Sequence, residues 1–405
     1  MSDYTTDGKG QNTMGKKLQP KLRFRGFTDA WEQRKGAEVI CVRRDNIANP
    51  PKDIVDVELE NLIEGGGLQG DLSLRTASTS VFHEHDTLFG RLRPYLRKFW
   101  FANTSGVKSG EIWSLYSSAL KPEFLYALTQ SAQFLNQALQ TAGTKMPRAE
   151  WKTIAEAYFA VPQAEEQEKI GILFQKLEQL IDAEKRKLDL LQKKKRALLR
   201  QIFEQKLRFA GYNNPWERCR LGDITEFADY GIAASAIPYD GTVRYLRITD
   251  IDDETRQVNI YELPSPDMKH RSRKEDYLRQ GDLVFARTGA SVGKTYLNRS
   301  DRDDIVHAGF LIRFRLKDNI CPEFIYQQTL GENYRKFIAI TSQRSGQPGI
   351  NSSEYADWTL YLTSIEEQNQ IGGLFGQLDE LIAALTQKID LLMIKKKALL
   401  QQMFV

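Results

Sequence analysis

Residues 165 to 203 read EEQEKIGILFQKLEQLIDAEKRKLDLLQKKKRALLRQIF, and residues 366 to 404 read EEQNQIGGLFGQLDELIAALTQKIDLLMIKKKALLQQMF. The two stretches lie 201 positions apart, align without a gap and share 22 of 39 residues. Within the first, Ile170, Phe174, Leu177, Ile181, Leu188, Leu191, Leu198 and Ile202 recur in steps of three and four, broken at Glu184 and Lys195. Within the second, Ile371, Phe375, Leu378, Ile382, Leu385, Ile389, Leu392, Leu399 and Met403 do the same, broken at Lys396. A 3.5-residue apolar period sustained this long predicts a coiled-coil seam. At 1.5 Å per residue each helix is roughly 58 Å long, and one exposed apolar stripe does not hold such a helix in water. The two stripes are therefore expected to bury each other.

A second repeat opens each half of the chain: Lys21-Leu22-Arg23-Phe24-Arg25-Gly26-Phe27 with Trp31-Glu32 returns as Lys206-Leu207-Arg208-Phe209-Ala210-Gly211-Tyr212 with Trp216-Glu217. The protein is a tandem duplication whose unit far exceeds the 20 to 50 residues of solenoid repeats. Its 405 residues suffice for two cores of moderate size. The spacing between the helices permits either direction of packing. The expected arrangement is the antiparallel coiled coil, which relates the halves by a pseudo-two-fold axis, the symmetry of the duplex DNA backbone.

The composition, 41% hydrophobic and 27% charged, is that of a globular protein. Residues 1–19 are predicted to form a flexible leader. No apolar run reaches membrane-spanning length, and Cys41, Cys219 and Cys321 show no paired spacing, so a reducing, cytoplasmic setting is expected.

Each half mixes short strands with helices, an α/β chain of the α+β type. In the first, strands are predicted at 54–59, 87–92 and 111–116, then a helix from Pro122 to about Leu139. In the second, strands at 243–248, 282–286 and 310–316 precede a helix from Pro322 to about Ile340. Proline in the first turn supports both helix starts. Asp86-Thr87-Leu88-Phe89-Gly90-Arg91 aligns with Asp282-Leu283-Val284-Phe285-Ala286-Arg287, while the surrounding loops share little. A frame kept and a contact surface varied is the pattern of two domains that recognise different things.

After each of these strands comes a loop with basic groups: Arg91, Arg93, Tyr95 and Lys98 in the first half, Arg287 and Lys294 in the second. A later loop in each half adds Lys145 and Arg148, or Arg344 and Gln347. Arginine and lysine attract phosphate, arginine grips a guanine edge, and glutamine reads adenine. The net charge of +4 alone does not announce nucleic-acid binding.

Motifs for chemistry fail on inspection. Gly289 and Gly293 are separated by three residues where a P-loop needs four. Asn49-Pro50-Pro51 is followed by Lys52 instead of the aromatic residue an amino-methyltransferase uses on a flipped base. Pro266-Asp267 lacks the acidic-x-Lys partner of a nuclease. His83 and His85, read as neighbours on one face of a strand, are too few for a closed metal site. The expectation is a non-catalytic chain without a metal or cofactor.

Taken together, the Lys-Leu-Arg-Phe openings at Lys21 and Lys206, the Gly-Asp-Leu-Val-Phe-Ala-Arg strand at Gly281, and the Glu-Glu-Gln helices at Glu165 and Glu366 resemble the specificity subunits of type I restriction-modification enzymes. The resemblance covers about residues 20 to 405. It implies two target-recognition domains, each reading half of a split, asymmetric DNA site, with two long helices as spacer and docking surface. The implied boundaries are a domain at 20–162, a helix at 163–204, a second domain at 205–363 and a helix at 364–405. The implied partners are double-stranded DNA, two methyltransferase subunits and, in the full complex, restriction-translocase subunits, which supply the chemistry. A coiled-coil scaffold binding proteins, another DNA-binding adaptor and a self-sufficient nuclease or methyltransferase are the competing readings.

Overall fold

The computed structural model describes residues 18–73, 79–140, 146–267, 274–343 and 346–405, and in it the repeated stretches form helices Ala164–Phe203 and Ile365–Met403. The chain divides into two compact units, one of Met1–Lys185 with Gln387–Val405 and the other of Arg186–Thr386. Each unit thus holds one globular domain, the start of one long helix and the end of the other.

Within the first unit the helix segments run antiparallel. Glu178 pairs with Lys396 at 2.6 Å, Glu184 with Lys388 at 2.6 Å, and the Phe174 ring lies 6.1 Å from that of Phe404. The second unit repeats the arrangement, with Lys195 paired to Asp379 and the Phe203 ring stacked 6.1 Å from Phe375. Ile170, Phe174, Ile181, Ile371, Phe375, Ile382, Leu385 and Ile389 are buried. Leu177, Leu188, Leu191, Leu198, Leu378, Leu392 and Leu399 are half-buried. The polar breaks in the apolar pattern are buried too, and each carries an interhelical ion pair.

The Glu-Glu-Gln signature is explained by what it holds. Arg23 donates to both oxygens of buried Glu166 at 2.9 and 2.7 Å, and Trp31 Nε1 donates a third bond at 3.1 Å. In the second unit Arg208 donates to Glu367 at 3.0 and 2.6 Å and Trp216 Nε1 at 3.3 Å. The Lys-Leu-Arg-Phe and Trp-Glu openings are thereby tied to the helix start, with a charge whose burial is compensated by hydrogen bonds. The glutamine that follows caps the next element: Gln167 accepts from the Lys121 amide at 2.9 Å, and Gln368 from that of Cys321 at 3.1 Å. Gly171 and Gly372 permit the close approach, since a Cβ would meet Glu123 Cβ at 2.7 Å or Cys321 Sγ at 2.9 Å.

Each domain is built on a four-stranded antiparallel sheet. In the first unit its order is Cys41–Val42, Ile112–Tyr116, Thr87–Gly90, Phe99–Phe101; in the second it is Thr225–Tyr230, Leu311–Leu316, Leu283–Ala286, Thr295–Leu297. Beside it, Val55–Val57 runs parallel to Gly106–Lys108, and Arg244–Leu246 runs parallel to Ile305–His307. The chain closes each domain by pairing Glu32–Lys35 with Tyr158–Val161, or Glu217–Arg220 with Thr359–Leu362. The second unit adds a ribbon of Ser235–Ile237 and Ser265–Asp267.

Several expectations are corrected. The single helix expected from Pro122 is two, Pro122–Gln130 and Ala132–Ala138, separated by Ser131 in extended conformation. Its twin is broken at Gly331 into Pro322–Thr329 and Glu332–Thr341. His83 and His85 lie in a turn between strands Ser80–Phe82 and Thr87–Gly90, with His85 at φ +69°, so they share no strand face. Of the expected leader, residues 1–17 lie outside the described ones. Leu18 packs against the first core and accepts from the Trp31 amide at 2.8 Å, while the Gln19 side chain donates to Thr28 O at 2.7 Å. Among the described residues no helix is long and apolar enough to cross a membrane.

Candidate nucleic-acid interface

In the first unit the strand Thr87–Gly90 delivers the chain into Arg91, and the later basic loop returns beside it. Leu92 bridges Arg148, the Ala149 amide donates to Arg91 O at 2.8 Å, and the Arg93 amide donates to Pro147 O at 2.7 Å. Arg93 and Arg97 are both left-handed, at φ +52° and +49°, and flank the tight turn Pro94–Leu96 that carries Tyr95, which is 52% exposed. Left-handed backbone is costly for a residue with a Cβ, and such strain concentrates at working surfaces. The Arg91 guanidinium lies 5.9 Å from the Trp113 ring. Arg148 forks onto Glu111 with bonds of 2.9 to 3.2 Å, which hold the Glu111 carboxyl below its ordinary range. Lys98 spends one donor on Leu59 O at 3.0 Å.

The second unit repeats the backbone and changes the side chains. Thr288 bridges Gly349, the Gly289 amide donates to Pro348 O at 2.9 Å, and the Ile350 amide donates to Arg287 O at 2.9 Å. The Arg287 guanidinium sits 4.9 Å from the Tyr230 ring and reaches Gly309 O at 3.5 Å. Gly289, at φ +73°, lies under the exposed Gln347, whose Nε2 would stand 3.0 Å from an added Cβ. Below these loops the frame is held by a buried aspartate in each copy. Asp86 accepts from Arg43 at 2.6 and 2.9 Å and from Ser114 at 2.6 Å, and Asp282 accepts from Arg315 at 2.7 and 2.6 Å.

The chain matches the family described as type I restriction modification DNA specificity domain over residues 95–193 and 213–392, more than half of its length. The chain belongs to the type I restriction-modification specificity family. Among solved structures, the S subunit of a type I restriction-modification system from M. genitalium is 14% identical, covering 96% of this chain and 99% of that one with a TM-score of 0.68. The HsdS subunit from Thermoanaerobacter tengcongensis is 18% identical, covering 92% and 96%, with a TM-score of 0.40. A chain from a study of complex assembly and conformational transition of the type I R-M system is 19% identical, covering 92% and 95%, with a TM-score of 0.47. No curated protein sequence matches significantly. As a specificity subunit the protein is the non-catalytic, DNA-selecting component of its system, built from tandem domains and long helices.

Of the contact residues expected in this specificity subunit, Arg91, Arg93, Tyr95, Lys98 and Arg148 share the paired loops of the first unit. Arg287 and Gln347 share those of the second. Lys294 is a correction: it is 5% exposed, paired with Asp253 and bonded to Ile251 O at 2.9 Å, so its charge serves the fold and is withdrawn from the surface. Lys145 and Arg344 lie outside the described residues. Two residues stand outside the expected contact set. Arg97 lies within a basic run but shows its left-handed exposure only in the structure, and Phe310 looks in sequence like the first apolar residue of a strand.

Proposed function

We propose that the protein reads a bipartite DNA site, one domain per half-site, through the paired loops at 91–98 with 146–148 and at 287–293 with 346–349. The carrying observation is that the same main-chain bridge joins the loops in both units, Leu92 to Arg148 and Thr288 to Gly349, while the side chains mounted on it differ. A conserved mount with different heads is what two unlike half-sites require, since backbone contacts set register and base-edge contacts specify. Arg91, Arg93, Tyr95, Lys98, Lys145 and Arg148 form the first contact set, and Arg287, Arg344 and Gln347 the second. The domains span 20–162 and 205–363, and the helical segments 163–204 and 364–405 set the gap.

The partners are two methyltransferase subunits, joined in the full complex by restriction-translocase subunits, all in the cytoplasm. Support comes from outward apolar residues that the duplication keeps. Leu180 and its repeat Leu381 are 42% and 45% exposed, and Leu190 and its repeat Leu391 are 53% and 52% exposed. Identical exposed leucines at equivalent places suit two copies of one partner. The test is co-expression with the methyltransferase followed by mapping of modified adenines. A split motif with one modified base per strand is expected; unmodified DNA would leave an adaptor or scaffold in its place.

A further inference from the structure

We propose that Phe310 is a specificity-determining residue of the second domain, packing its ring on the C5-methyl group of a thymine. This rests on the reading of the paired loops as the DNA-facing surface. Phe310 is 63% exposed, yet the turn that carries it is fastened at every residue. The Ala308 amide donates to Leu246 O at 2.9 Å, the Gly309 amide to Ile232 O at 2.8 Å and the Leu311 amide to Ala308 O at 2.8 Å, while Phe310 O accepts from the Arg287 amide at 3.0 Å. A large ring held out on a rigid turn forgoes the stabilisation that burial would bring, and it is already ordered for an apolar contact with a partner.

The fold does not demand an apolar group there. In the first unit the equivalent residue is Glu111, whose carbonyl accepts from the Arg91 amide at 2.9 Å as that of Phe310 accepts from Arg287. Glu111 is spent on Arg148, whereas the position equivalent to Arg148 is Gly349, so that ion pair is not repeated in the second unit. The ring therefore replaces a polar pair on the reading surface of one domain. Beside it the Arg287 guanidinium is steadied over Tyr230. A guanidinium at Gly309 O and an exposed ring on the next residue match two contacts the major groove offers, a guanine edge and a thymine methyl.

The test uses the chain assembled with its methyltransferase partner on its mapped site, with each thymine of both half-sites replaced in turn by deoxyuridine. At one thymine, loss of the methyl should weaken wild-type binding roughly four- to tenfold. Phe310→Ala should bind the unaltered site as weakly as wild type binds that deoxyuridine site, and lose nothing further on it. Phe310→Leu, which keeps an apolar group on the same turn, should fall between them, with all variants melting at the same temperature. Sensitivity to every thymine methyl unchanged in Phe310→Ala, or a site at which no thymine methyl matters, overturns the proposal. A wild-type complex with no sequence preference overturns instead the reading on which it rests.

Discussion

Lys108 and His307 occupy the same place in the two units, at the end of the strand that pairs in parallel with Val55–Val57 or Arg244–Leu246, and both are buried. Burial, aided by the neighbouring Arg91, pushes the Lys108 ammonium down to about 8, and burial pushes His307 down to about 4. Both shifts disfavour the charged form, but the pH windows differ. Below its unfolded value near 6.5 a histidine takes up a proton in the unfolded chain that folded His307 refuses until about pH 4, so stability falls as pH drops across that window. The second domain should lose on the order of 2–3 kcal/mol from this group between pH 7 and 4.5. Urea unfolding of His307→Met should show that much less acid sensitivity. Lys108 acts above neutrality: stability rises between about pH 8 and 10.5 as the unfolded chain keeps a proton longer than the folded one loses it. Lys108→Met should flatten that rise. Neither position was legible as a buried charge, because single residues inside short strands carry no periodic signal. The equivalent places of Arg91 and Arg287 after matching strands were legible, because the copies align there; the turn at Phe310 was not, because only the structure shows it stopping short of the strand.

The long helices were the most legible elements, since about eleven turns of one period leave little to tertiary context. What periodicity misread was its own interruptions. Lys195 with Asp379 and Lys396 with Glu178 are the same ion pair written twice with the helices exchanged, so the polar breaks belong to the seam. Removing one partner strands a buried charge. Lys396→Met should cost roughly 3–5 kcal/mol in chemical denaturation, and Lys396→Met with Glu178→Gln should recover part of it. Strands Glu32–Lys35 and Tyr158–Val161 went unread because the first is short, charged and mostly exposed, with no apolar alternation to find. The helix breaks at Ser131 and Gly331 were hidden because each rests on one residue in extended conformation between two helical runs, too local a change to register in a pattern read over whole turns.

At the scale of the molecule, the proposed spacing role makes a numerical claim. One heptad added to each long helix lengthens it by about 10 Å, close to three base pairs of duplex. Methylation mapping should then return the same half-sites with a gap about three base pairs wider; altered half-sites would sink the idea. The division of the chain into Met1–Lys185 with Gln387–Val405 makes a second claim. Phe404 stacks 5.7 Å from Phe124 and meets Trp31 edge-on at 6.0 Å, and the Leu22 amide donates to Gln402 O at 2.9 Å. A stop after Lys397 should abolish hydrogen-exchange protection in the first domain and leave that of the second largely intact. During biosynthesis the same contacts impose a delay. The 201 residues of Arg186–Thr386 must leave the ribosome before the closing piece arrives, roughly ten to forty seconds at about 5–20 residues per second. Until then the nascent chain shows Trp31 and Phe124 to chaperones and proteases, and the domain translated first is the one that matures last.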